Sequence, residues 1–221
     1  MEKRKHIVIL AAGDFPTHAV PLAALREAHF VVCCDSAYRR WEKARSAWGT
    51  HTPFIVIGDG DSLPADDKHA LGAQYIQVDE QDYNDLHKAM SWATSSFGIQ
   101  QTRFTILGAT GRREDHTLGN LSYLATFADE YPGIDVELLT DHGRFCSFCG
   151  TRTFEAFPRQ QVSILVFNPA VGITSQGLRW PLRHFHPTLW WQATLNEVLD
   201  HSFTLTADGP VLLFRTYDPK A

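Results

Sequence analysis

Two aspartates separated by one glycine stand directly after a short apolar run. Asp59 and Asp61 belong to the pentapeptide GDGDS, which begins at Gly58, and the apolar run occupies residues 53–57. Alternate residues of an extended segment point the same way, so both carboxylates can converge on one hard cation. Gly and Asp are also common turn residues, so a capped polar turn explains this segment equally well when it is taken alone.

A second acidic segment follows the next apolar run, at residues 74–78. It combines an amide, two carboxylates and a cation: Gln81, Asp82, Asp85 and Lys88. Taken alone, Asp82 as a helix N-cap with Asp85 in the first turn accounts for the pattern. Because the segment also follows a predicted strand, its carboxylates should face the same crevice as Asp59 and Asp61. Several carboxylates in one crevice repel one another unless a divalent cation is bound, so the sequence predicts a metal site.

A third segment, GATGRREDHT from Gly108, joins an apolar run to a helical pattern. Glycine-rich turns at helix N-termini offer free backbone N–H groups and the positive end of the helix dipole, and both features favour phosphate. Arg112 or Arg113 can add a bidentate guanidinium contact. The alternative is a simple turn with Asp115 as N-cap.

The elements that must position these segments alternate along the first part of the chain. Strands are predicted at residues 6–12, 30–34, 53–57, 74–78, 103–107 and 136–140, and helices near 18–28, 37–48, 83–97 and 116–131. This alternation predicts an α/β domain with a mostly parallel, doubly wound sheet. Ligands of such sheets lie beyond the carboxyl ends of the strands, where all three segments are placed.

After Asp141 the helical period disappears. Short strands are predicted at residues 144–154, 161–167, 173–179, 202–207 and 211–216, with Gly and Pro between them. We therefore expect two domains, an α/β domain over residues 1–142 and a smaller all-β domain, sandwich or barrel-like, over residues 143–221.

The overall charge restricts the partners. Lys and Arg number 20 against 25 Asp and Glu, a formal net charge of −5, which is the wrong sign for nucleic acid. An anionic substrate must then be met locally, by a metal ion or a few placed cations. No apolar stretch approaches the roughly 20 residues that span a bilayer, so a cytoplasmic protein without a membrane partner is expected.

Cysteine and histidine pairs give weaker metal signals. Cys146 and Cys149, even with His142, supply a single CxxC, which is half the ligand set of a structural zinc site, so zinc is not expected there. His184 and His186 can share one face of a strand, but the sequence shows no third partner for them.

The segments resemble the thiamine pyrophosphokinase family over most of the chain. The family's motifs GDxDS, DQxxTDxxKA, GxxGGRxDHTLANL and GLKWPL correspond here to GDGDS at 58, EQDYNDLHKA from 80, GATGRREDHTLGNL from 108 and GLRWPL at 177. Order and spacing agree as well. The resemblance implies a Mg²⁺-dependent homodimer that transfers diphosphate from ATP to the hydroxyl of thiamine and releases AMP and thiamine diphosphate.

The resemblance also implies a role for each matching residue. Asp59, Asp61 and Asp85 would hold Mg²⁺ and, with Arg113, form the catalytic set. The ATP-binding residues would be Asp35, Gln81, Lys88, Arg113 and Thr117, and the thiamine-binding residues Asp115, Trp180 and Asn196. Residues 1–142 would be the nucleotide-binding catalytic domain and residues 143–221 the thiamine-binding and dimerisation domain.

Four departures from the family pattern are visible. Asn84 replaces the usual threonine of the second motif, and Arg112 replaces the second glycine of the third. Residues 33–37 lack the family's paired glycines, and the family's STSN segment corresponds to ATLN at residues 193–196, without either serine. A metal-dependent phosphate-ester hydrolase, with water as nucleophile on the same aspartates, is the alternative enzyme class. A nucleotide-sensing module without catalysis is the third hypothesis.

Overall fold

The structure is a computed structural model that describes residues 4–219. The chain divides into two compact units. The first comprises the chain up to Asn120 together with Gly133–Asp141, and the second comprises Leu121–Pro132 and the chain from His142 onward. Within residues 4–219, none of the helices is both long and apolar enough to cross a membrane.

The first unit contains a parallel sheet. Its strands are β1 (Lys5–Leu10), β2 (Phe30–Cys34), β3 (Phe54–Gly58), β4 (Tyr75–Gln77), β5 (Thr102–Leu107) and β6 (Asp135–Leu139). Every pairing among them is parallel, in the spatial order β6-β5-β1-β2-β3-β4. The chain order therefore reverses at β1, which is the switch point of a doubly wound sheet. The α/β fold prediction is confirmed.

Helices alternate with these strands along the chain. They are α1 (Ala19–Arg26), α2 (Ala37–Trp48), α3 (Ala65–Leu71), α4 (Asp85–Phe97) and α5 (Glu114–Glu130), with a short 3₁₀ turn at Gly72–Gln74. The fully buried Trp41 of α2 shares an apolar cluster with Val31 and Cys33 of β2. The next residue, Cys34, faces the other way, and its thiol donates to the carbonyl of Asp85 at the start of α4. Burial on both faces explains the continuously apolar strands.

The helix starts differ from the simplest sequence interpretation. The N-cap of α4 is Asn84, whose side chain accepts from the backbone N–H of His87 at 3.0 Å, so Asp82 as N-cap is wrong. Asp115 lies inside the first turn of α5, so it is not the N-cap either. Helix α3 was not predicted because Leu71 is its one buried residue and its sequence carries no apolar stripe.

The second unit contains antiparallel strands. They are β7 (Gly143–Glu155), β8 (Gln160–Leu165), β9 (Ile173–Gln176), β10 (Ala193–Glu197) and β11 (Ser202–Pro219). Their order is β10-β8-β11-β7, and β9 pairs with the first part of β11. Buried aliphatic and aromatic residues form its core, among them Val162, Ile164, Phe203, Leu205 and Leu213.

Two strand predictions in this unit need correction. Residues 202–207 and 211–216 belong to one strand, β11, whose pairing shifts register between Ala207 and Val211, where Gly and Pro suggested a loop. Strand β10 was missed because it is irregular: its register with β8 shifts between Ala193 and Asn196, and Leu195 has a left-handed backbone with φ 58°.

Candidate active site

A cavity opens at the carboxyl ends of the strands in the first unit. Its lining comes from the loop after β1 (residues 11–13), Cys34 at the end of β2, Asp59 after β3, residues 81–86 and Lys88 around the start of α4, and residues of the β5–α5 connection. Because β1 and β5 flank the switch point, loops on its two sides diverge and leave a crevice. All three chemical segments identified in the sequence contribute to it.

Three carboxylates meet at this cavity. One oxygen each from Asp35, Asp59 and Asp85 lies within 4.8 Å of the other two. Burial and then the charge of Asp59 raise the pKa of Asp85 to about 6, and burial raises the pKa of Asp35. The shifts have burial as their main cause, and the neighbouring carboxylates add to it, so a positive counter-ion is favoured at this position.

Asp35 is the most buried member of the carboxylate cluster. It is 3% exposed and has a left-handed backbone with φ 39°. Its Oδ2 accepts from the backbone N–H of Ser62 at 3.0 Å, whereas Oδ1 has no hydrogen-bond partner within residues 4–219. A buried oxygen left unpaired costs about 1–3 kcal/mol. Carboxylate oxygens are the ligands of hard divalent cations, so the cluster fits Mg²⁺.

Asp61 occupies a different position from the one predicted. Its side chain is exposed, and the cluster contains Asp35 in addition to Asp59 and Asp85 but not Asp61. The backbone N–H of Asp61 donates to Asp59 Oδ1 at 3.0 Å, and this bond lowers the pKa of Asp59. The segment therefore positions Asp59 through the main chain, while metal binding by the Asp61 carboxylate stays a prediction.

Two predicted nucleotide contacts adjoin the cluster. The Lys88 side chain is only 4% exposed; its Nζ donates to the carbonyl of Val78 at 3.2 Å and lies 3.8 Å from Asp85 Oδ1. A buried ammonium requires such partners, and here it offsets part of the cluster's negative charge. Gln81 Nε2 donates to Asp59 Oδ2 at 3.4 Å.

The β5–α5 connection has an unusual backbone. Gly108, Gly111 and Arg112 have φ values of 65°, 81° and 61°. A Cβ on Gly111 would displace the exposed carboxylate of Asp14, and the positive φ of this position is the reason that it favours glycine. The chain then enters α5 at Glu114, which places a helix N-terminus beside the cavity.

Charged residues at the start of α5 are exposed. Arg113 forms a two-pronged ion pair with Asp115, with Nε to Oδ1 at 3.1 Å, and their side chains are 72% and 62% exposed. The Arg113 hydrogen bond lowers the pKa of Asp115. The hydroxyl of Thr117 donates to the carbonyl of Arg113 at 3.2 Å, which stabilises the turn.

Several residues that hold the cavity together were not identified from the sequence. Asn84 Nδ2 donates to Asn120 Oδ1 at 2.9 Å, and Asn120 Nδ2 donates to the carbonyl of Ala109 at 2.7 Å. Arg40 of α2 donates to the carbonyl of Ala12 at 2.7 Å and to that of Gly13. Asn84 and Asn120 lie inside the second and third motifs, but the bonded partners are far apart along the chain, so no local pattern indicates the pairing.

The two thiamine-binding predictions of the second unit, Trp180 and Asn196, are hydrogen-bonded to each other. The Trp180 backbone N–H donates to Asn196 Oδ1 at 3.1 Å, and Asn196 Nδ2 donates to the carbonyl of Trp180 at 2.7 Å. Asn196 is 4% exposed, whereas Trp180 is 54% exposed. The buried amide thus fixes the backbone of a residue whose indole remains accessible.

Comparisons with known proteins agree over both units. The family model described as the thiamin pyrophosphokinase catalytic domain matches residues 22–137, and that of the substrate-binding domain matches residues 143–214. Thiamine pyrophosphokinase 1 of Oryza sativa is 28% identical over 176 residues, 73% of this chain and 65% of that protein. The chain thus spans about two thirds of that relative's length. Thiamine pyrophosphokinase of Bacillus subtilis is 27% identical over 176 residues, covering 75% of this chain and 79% of that protein.

Solved structures show the same fold. The thiamin pyrophosphokinase of Candida albicans superimposes with a TM-score of 0.80 at 15% identity, covering 97% of this chain and 90% of that one. The Bacillus subtilis enzyme gives a TM-score of 0.77 at 24% identity, covering 97% of this chain and all of that one. With the catalytic family model matching more than half of the sequence, the chain belongs to the thiamine pyrophosphokinase family.

Proposed function

We propose that this protein transfers diphosphate from ATP to the hydroxyl of thiamine, producing thiamine diphosphate and AMP with the help of Mg²⁺. The observation that carries the proposal is the meeting of Asp35, Asp59 and Asp85 at the carboxyl ends of separate strands. The match of both family models supports the choice of substrates. The comparisons offer no support for the hydrolase alternative.

The carboxylate cluster would hold the metal. Asp35, Asp59 and Asp85 would be its ligands, and Asp61 would orient Asp59 and add a carboxylate at the rim. When bound, Mg²⁺ supplies charge neutralisation for the transferred phosphates. This arrangement extends the predicted set of Asp59, Asp61 and Asp85 by the buried Asp35, which the family resemblance assigned to ATP binding.

Cationic and N–H groups of the cavity would bind the phosphates. Lys88 is a buried charge beside the cluster, and Arg113 is an exposed one at the start of α5. Gln81 and Thr117 complete the proposed ATP contacts. Phosphoryl transfer depends mainly on positioning and electrostatic stabilisation, which these fixed groups provide without a covalent nucleophile.

The proposed thiamine-binding residues are Asp115 in the first unit and Trp180 and Asn196 in the second unit. Asn196 would act by fixing Trp180, whose exposed ring can stack on the cationic thiazolium. We propose residues 1–142 as the nucleotide-binding catalytic domain and residues 143–221 as the thiamine-binding and dimerisation domain, in a cytoplasmic homodimer. The substrate-binding family model supports the second assignment, and the dimer rests on family resemblance alone.

A product assay tests the proposal. AMP should form only when ATP, thiamine and Mg²⁺ are present together, and omission of any one should abolish it. Phosphate release in the absence of thiamine would support the hydrolase instead. ATP binding without turnover under all conditions would indicate a nucleotide-sensing module.

A further inference from the structure

A pair of histidines in the second unit is not among the residues assigned to the proposed active site. His184 and His186 are exposed, and their Nε2 atoms are 3.3 Å apart. Their rings are perpendicular, with centroids 4.7 Å apart. Two imidazole nitrogens bound to one tetrahedral Zn²⁺ at 2.0–2.1 Å lie about 3.3–3.4 Å apart, which is the separation observed here.

The backbone holds this histidine pair in place. Phe185, between the two histidines, exchanges backbone hydrogen bonds of 2.8 and 2.9 Å with Ile173 of β9, and its ring packs against the core of the unit. The N–H of His184 donates to Thr174 Oγ1 at 3.1 Å, and the residue is left-handed, with φ 47°. Because the residue between them is directed to the core, both imidazoles project to the same, solvent side.

A carboxylate adjoins the pair. Asp208 Oδ1 accepts from the backbone N–H of Gly172 at 2.7 Å. A Cβ added to Gly172 would lie 2.9 Å from His186 Nε2 and 3.1 Å from Asp208 Oδ2, so both atoms border the same small space above Gly172. Glycine leaves this space open, and a carboxylate beside the two imidazoles favours a cation.

We propose that His184 and His186 chelate a divalent transition metal of the Zn²⁺ class through their Nε2 atoms, with Asp208 as the nearby carboxylate and water completing the coordination. Imidazole nitrogens select such metals over Mg²⁺, which prefers oxygen. The site is therefore chemically distinct from the carboxylate cluster. A metal bound there would stabilise the segment that follows Trp180, which contains both histidines.

Calorimetric titration of the intact protein with ZnCl₂, in excess Mg²⁺ to occupy the carboxylate cluster, tests this site. Wild type should bind one Zn²⁺, and His184→Ala and His186→Ala should each weaken binding at least about tenfold, since a chelate is reduced to a single ligand. Asp208→Asn should weaken it a few-fold. Affinity should fall in acid because imidazole must be neutral to bind metal.

The matched control is His201→Ala, which removes another histidine of this unit with a side chain 82% exposed and should leave Zn²⁺ binding unchanged. Cu²⁺ in place of Zn²⁺ should show nitrogen hyperfine structure in its paramagnetic resonance spectrum that is lost in both pair variants. Thermal melts verify that the variants fold. Absence of Zn²⁺ binding in wild type, equal binding in the pair variants, or binding lost only in Asp59→Asn would overturn the proposal.

Discussion

The carboxylate cluster and the Arg113–Asp115 pair belong to the same unit and both contain aspartates, but these aspartates differ in burial and in their charged neighbours. Asp35 is buried and Asp85 is half-buried, and this loss of hydration, with a smaller contribution from the charge of Asp59, raises the pKa of both groups. Asp115 is exposed and paired with a cation, so its pKa falls. Carboxylates held together with little hydration favour a counter-ion, whereas an exposed carboxylate that is paired with a cation is ionised without one.

The largest expected effect is on catalysis at the cluster. Asp59→Asn and Asp85→Asn should each reduce AMP formation at least about 100-fold, because a metal ligand is lost from the site that stabilises the transferred phosphates. Asp66→Asn, which changes an exposed carboxylate in the first turn of α3, outside the cavity lining, is the matched control and should retain most activity. Full turnover in both cluster variants would remove the basis of the metal assignment.

The next effect is a pH dependence of stability in metal-free protein. The folded-state pKa of Asp85, about 6, lies above its unfolded value, so the stabilisation from this group is complete below pH ~4 and is lost as the pH rises through 6. The free energy of unfolding of the wild type should therefore fall by on the order of 1–2 kcal/mol relative to that of Asp85→Asn over this range, allowing for partial solvent screening.

Denaturant titration with a chelator, at a series of pH values, measures this difference. Added Mg²⁺ at neutral pH should raise the free energy of unfolding of the wild type and should not raise that of Asp85→Asn. Parallel stability profiles for the two proteins would contradict the repulsion inferred for the buried cluster.

At the exposed pair, Asp115→Ala should weaken thiamine binding by about tenfold and ATP binding much less, in line with loss of one hydrogen bond to a charged group. The melting temperature should hardly change because both partners of the pair are exposed. Calorimetry with each substrate separately is the measurement. Equal losses for thiamine and ATP would argue against a thiamine-binding role.

The smallest effect concerns the backbone of the β5–α5 connection. The backbone of Arg112 has a left-handed conformation, at the position where the family motif has glycine. Because glycine adopts this conformation without strain, Arg112→Gly should stabilise the protein by up to about 1 kcal/mol. The matched control, Lys43→Gly in the middle of α2, should instead destabilise it by about 1 kcal/mol. Thermal unfolding compares the two, and a destabilised Arg112→Gly would show that the arginine side chain contributes more than its conformation costs.

The sequence predicted those parts of the molecule that are determined by residues close together in the chain. Continuously apolar runs identified β1 to β3 and β5 because buried parallel strands need them, and acidic or glycine-rich segments after those strands located the cavity. The inclusion of Asp35 in the carboxylate cluster depends on β2 pairing with β3, which no local pattern specifies. The Asn84–Asn120 and Arg40 bonds, and the left-handed Leu195 in β10, likewise depend on tertiary contacts.

The most direct test of the account is the stoichiometry of Mn²⁺, as a paramagnetic substitute for Mg²⁺, bound to wild type and to variants of the cluster. We expect one tightly bound ion in wild type, retained in Asp115→Asn and lost in Asp35→Asn, Asp59→Asn and Asp85→Asn. Binding that is unchanged in those three variants would contradict a metal site built by the cluster.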